Sequence, residues 1–126
     1  METPEPNHPD ELGYKASFWD SRTVNARLRE CFPAPAHTHA AVYLADLAPA
    51  PDCGEEADET ACRLMLAALK VSDGNLAKLE MWVGVARMEP RDLIAAAEYR
   101  RELELGTPEA READLAEYLH WAKGSP

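Results

Sequence analysis

His37 and His39, with Cys53 and Cys62, are the residues of this chain best suited to hold a metal, because zinc accepts mixed sets of imidazole and thiolate ligands. In an extended segment the two histidine rings would share one side, whereas in a helix they diverge by about 200°. Eight residues separate Cys53 from Cys62, wider than the tight pairs that make zinc sites recognisable. A metal-binding protein built on these four residues therefore ranks behind two other readings given below, and no resident metal or other cofactor is expected. Cys31 with one of the four histidines could supply a nucleophile and a base, but no neighbouring residues support that pairing. The chain has no glycine-rich phosphate loop, no G-x-S-x-G elbow and no H-E-x-x-H pair, so it points away from an enzyme.

Between Cys53 and Cys62 runs the acidic stretch CGEEADETAC, and with Asp52 it places five acids in eight positions without a base. The helix dipole explains it most cheaply. Acids in the first turn stabilise a helix by about 0.3–1 kcal/mol each, because they face unpaired amide donors and partial positive charge. Glu59 stands four residues before Arg63, the favourable order for an ion pair along a helix.

The elements that must position these residues read as helices. The 126 residues suit one domain, and apolar residues at 46% with charged residues at 29% suit a globular chain with its own core. Residues 1–13 carry three prolines and little to bury, and are expected to form a disordered arm ahead of a single helical domain at 14–126. A first helix is predicted from Ser17 to Phe32, with Asp20 or Ser21 as its cap, Val24, Leu28 and Cys31 on its apolar stripe, and Arg22, Arg27 and Arg29 off it. Residues 37–48 are open between a short helix and a strand. A third helix is predicted over about Gly54 to Val71, and a fourth over Leu76 to about Met88, capped by Ser72 or Asp73. A fifth runs from Pro90 to about Leu105, ended by Gly106, and a sixth starts at Thr107-Pro108 and ends near Lys123. The fold class is mainly α, a small helical bundle of five to six helices.

Two of these helices carry surplus apolar or aromatic surface. At 100° per residue Leu76, Leu79, Trp82, Val83 and Ala86 form one face of the fourth helix, and Ala77, Met81, Val85 and Met88 form a second, with Gly84 beside it. Either this is the central helix, with Gly84 admitting a close neighbour, or the side bearing Met81, Val85 and Met88 receives another chain. On the sixth helix Leu115, Tyr118, Leu119 and Ala122 read as the core face, and Trp121 stands off it beside Asp114 and Glu117. An aromatic among acids suits a partner with a basic, partly apolar groove.

The net charge of −10 argues against direct binding to nucleic acid or to an anionic membrane. The row Glu98, Glu102, Glu109, Glu112, Asp114 and Glu117 could instead imitate phosphates, although Arg100, Arg101 and Arg111 interrupt it. The start METPEPNHPDELG lacks the basic and apolar features of a secretory signal, and a cytoplasmic location is expected.

From Ser72 to Tyr99 the chain resembles a helical segment of small bacterial proteins of uncharacterised activity. The resemblance lies in the Ser72-Asp73-Gly74 turn, the Trp82-Val83 pair and the restart PRDLIAAAEY at Pro90 to Tyr99. It covers under a quarter of the chain, implies a helix–turn–helix arrangement, and brings no activity with it. The leading expectation is a non-catalytic, acidic protein–protein interaction module, regulatory or inhibitory in effect, that contacts a protein partner or a second copy of itself. The candidate contacts are Met81, Val85 and Met88, or Asp114, Glu117 and Trp121. An inhibitor that imitates nucleic acid is the alternative.

Overall fold

Asp20 opens the first helix: its carboxylate accepts the Thr23 backbone N–H at 2.8 Å, satisfying one of the donors that a helix start leaves unpaired. The computed structural model describes residues 19–48 and 54–123, except the side chains of 55–57. The expected N-terminal arm and Cys53 lie outside the described residues.

Seven α-helices and a short 3-10 turn make up the described chain, and no strand occurs among these residues. They are α1 (Ser21–Cys31), α2 (His37–Ala45), α3 (Glu55–Ser72), α4 (Leu76–Met88), α5 (Pro90–Glu98), α6 (Arg100–Leu105) and α7 (Pro108–Lys123). The 3-10 turn, Ala34–Ala36, leads from Pro33 into α2, so the open segment after His37 is helical.

Most boundaries follow local chemistry. Asn75, rather than Ser72 or Asp73, caps α4, its side-chain oxygen accepting the Lys78 N–H at 2.9 Å. Ser72 remains inside α3, where its buried hydroxyl donates to the Leu69 carbonyl. Asp73 and Gly74 make the turn with φ of 53° and 76°. A Cβ on Gly74 would stand 2.8 Å from the Cys31 carbonyl oxygen, so glycine is needed there twice over, for its backbone angle and for the approach of α1. Gly74→Ala is expected to lower the unfolding free energy by about 2 kcal/mol or more, measured by urea denaturation. At the other end Thr107 accepts the Ala110 N–H and Pro108 occupies the first turn of α7.

Two boundaries differ from expectation: α1 begins at Ser21, after its Asp20 cap, rather than at Ser17, and a break falls inside the fifth predicted helix. The fifth predicted helix is two helices, broken at Tyr99, whose backbone sits at φ −128° and ψ 21°. The cause is tertiary. Asp114, reaching across from α7, accepts the Glu102 backbone N–H at 2.9 Å and so caps the start of α6.

The core sits around α3, which packs against α1, α4 and α5. Leu66, Ala67, Ala68 and Leu69 are all fully buried. Four consecutive buried residues sweep most of a helical turn, so α3 is enclosed on nearly every side. The alanines let neighbouring helices approach, and Leu79, Val83 and Leu93 fill the space beside them. The central helix of the bundle is therefore α3, and α4 lies against it with α2 and α5 on its flanks.

Candidate functional site

On α4 the core-facing residues are Leu79, Val83 and Ala86, each buried. The opposite side is bare. Ala77, Met81, Gly84 and Met88 are all exposed, Met81 at 51% and Met88 at 83%, while Val85 is half-buried at the edge. Spacings of four, three and four keep the four exposed residues within an arc of about 60°. A Cβ placed on Gly84 would meet no atom of the described residues within 4 Å, so this glycine admits no close neighbour among them. The result is an apolar strip about 16 Å long that no other described element covers. The other large exposed apolar residues, Val42 on α2 and Leu103 and Leu105 on α6, do not form such a strip on their own helices.

The residues of the second candidate patch are engaged within the chain. Asp114 is buried and divides its carboxylate between the Glu102 N–H and Arg101, 3.1 Å away. Glu117 accepts from Arg101 at 2.6 Å and lies 3.6 Å from the Lys70 ammonium. The hydrogen bond from Arg101 holds the Glu117 carboxyl below its usual range. Trp121 is half-buried, stacked on Tyr118 at 5.8 Å, with the Arg27 guanidinium over its ring. Asp114, Glu117 and Trp121 thus join α7 to α6, α3 and α1. The free aromatic ringed by acids is not there, because basic residues of the same chain already occupy its surroundings.

The phosphate-like row is broken for the same reason. Glu109 and Glu112 are exposed, but Glu98 and Asp114 are buried, and Glu98 makes a paired bond to Arg63 at 2.9 and 2.6 Å. The Tyr99 hydroxyl accepts from the same guanidinium at 3.1 Å, and the Trp19 ring lies 4.6 Å from its centre. Burial pushes the Glu98 carboxyl up and Arg63 pulls it partly back; Arg63 itself is held more firmly protonated by Glu98. Arg27, expected off the apolar stripe of α1, is also buried, with Glu30 at 2.8 Å. Sequence reasoning missed this polar set altogether.

The metal candidates are not gathered. The His37 ring donates from Nε2 to the Phe32 carbonyl at 2.7 Å and His39 is exposed; Cys62 is half-buried near Asp20 and Asp58, and Cys53 lies outside the described residues. Among the described residues no cluster of three or more His, Cys, Asp or Glu could hold a metal ion. Burial pushes the thiols of Cys31 and Cys62 up, the opposite of what an activated nucleophile needs. A groove of about 770 Å³ opens between α1, α2 and α3, floored by Leu28, Leu44 and Met65 and edged by Asp20, Asp58 and Glu59. Trp19, the first described residue, lines it. No helix among the described residues is long and apolar enough to cross a membrane.

No family model matches the chain, and neither does any curated protein or solved structure. Function has to be read from the chain's own geometry.

Proposed function

We propose that the protein is a non-catalytic, acidic, helical interaction module that docks another protein chain on the outer face of α4, through Met81, Val85 and Met88. One observation carries this reading: the apolar strip from Ala77 to Met88 is exposed along its whole length, over open space at Gly84. Keeping such a strip in water has a cost that grows with its area, and a contiguous patch on one rigid helix marks a contact surface more often than scattered single residues do. Methionine suits the role because its unbranched side chain adapts to a partner's shape. The acidic character elsewhere keeps the protein soluble while the strip remains available.

Photo-crosslinking in cells that express the protein tests this. A photoreactive side chain at position 81 or 88 should yield discrete protein adducts, and one at Glu112 should not. Adducts from position 112 alone would move the contact surface to the acidic side of α7 and overturn the proposal.

A further inference from the structure

We infer that the outer face of α4 pairs with the same face of a second copy, the two helices running antiparallel about a two-fold axis between Trp82 and Val83. Met81 of each copy then rests over Gly84 of the other, and Met88 over Ala77. This deepens the proposed function and rests on it: the surface is the same, and the occupant is now a second copy.

The first argument is size. Along the strip the residues read small, large, small, large: Ala77, Met81, Gly84, Met88. Inverting that order about its midpoint brings every methionine opposite a small residue. A parallel pair in register would set Met on Met, with hollow layers at Ala77 and Gly84, and close packing rejects both. No described residue fills that seat: none stands within 4 Å of a Cβ built on Gly84.

Charge supplies the second. Lys78 and Val85 flank one side of the strip, Glu80 and Arg87 the other. In an antiparallel pair the same flanks meet, which sets Glu80 beside Arg87 of the second copy, offset by about 3 Å along the axis, twice per dimer. The present contact of Arg87 with Asp46, at 3.9 Å between two half-exposed side chains, leaves its guanidinium free to turn. Lys78 can lay its methylenes over the partner's Val85. Moreover, α4 holds two bases and one acid in a chain of net charge −10, so two copies meeting there repel each other less than the whole-chain charge implies.

Area sets the strength. Thirteen residues of helix span about 20 Å, and a contact of that length falls near or below the roughly 1,200 Å² at the lower end of stable specific interfaces. The dimer is therefore weak and reversible.

Sedimentation velocity on the full chain tests the geometry. Wild type should shift from monomer to dimer as concentration rises. Gly84→Met should be monomeric at every concentration, because its side chain fills the seat of Met81. Its thermal midpoint should nevertheless rise, since glycine is a poor helix former at an open position. The double variant Met81→Ala/Gly84→Met exchanges large and small and should recover the dimer. A monomeric wild type would overturn self-pairing, and photoadducts from position 88 with a different protein would then show that the contact surface itself survives. A Gly84→Met variant that dimerises as well as wild type would overturn the register, since added apolar surface strengthens any unspecific contact.

Discussion

Arg63→Ala is expected to lower the unfolding free energy by about 3–5 kcal/mol, a large fraction of the stability of a chain this size. The Glu98 side chain has no exposure and Arg63 only 20%, so removing the guanidinium leaves a carboxylate with neither water nor its cation. Tyr99 loses a donor and Trp19 a cation over its ring in the same step. The dependence on pH follows from the sign of the shift. Burial already raises the Glu98 carboxyl, and without Arg63 it rises further above its value in the unfolded chain. Such a group binds its proton more readily when folded, so the variant's deficit is largest at neutral pH and shrinks as pH falls through the raised value. Arg63→Met/Glu98→Met should be much less damaging than either single change, because apolar residues of similar volume replace both charges. Urea denaturation at neutral and mildly acid pH measures all three. A loss below about 1 kcal/mol for Arg63→Ala would mean that the pair behaves like one on the surface.

Met81→Glu is expected to weaken association by about thirty-fold or more, as the loss of a central apolar contact does when a charge replaces it. Its unfolding free energy should stay within about 0.5 kcal/mol of wild type, since the residue already faces water. Leu79→Glu, two positions away but fully buried, should fail to fold. The contrast between neighbours on one helix separates a docking surface from a packing surface. Equal loss of stability in both variants would show that Met81 is part of the core.

Much of this architecture is written locally. Asp20, Gly106 and Thr107 each mark a helix end through bonds to residues no more than four positions away, Pro90 marks one by its fixed backbone angle and missing N–H, and such signals survive in the bare sequence. The break at Tyr99 does not, because its causes lie far along the chain. Arg63 and Glu98 are 35 residues apart and Glu102 and Asp114 are 12 apart. The burial of Arg27 and the engagement of Asp114 and Glu117 were hidden for the same reason, since Trp121 of α7 lies against the first and Arg101 of α6 meets the other two. The two apolar faces of α4 were legible from periodicity. Which of them is covered was not, since that depends on where α3 lies. The short α2 resisted reading because it starts without a side-chain cap and follows a proline-led 3-10 turn.

The outer face of α4 can be watched directly through its own methionines. In the ¹³C-methyl spectrum of the methionine-labelled protein, Met81 and Met88 report on the strip, and the half-buried Met65, in the groove between α1, α2 and α3, serves as the reference. Between millimolar and low micromolar concentration, the Met81 and Met88 signals should shift or broaden together while Met65 stays fixed, and Gly84→Met should abolish the change. Signals from Met81 and Met88 that keep the same position and width at every concentration, in a protein that sediments as a monomer, would contradict pairing through this face.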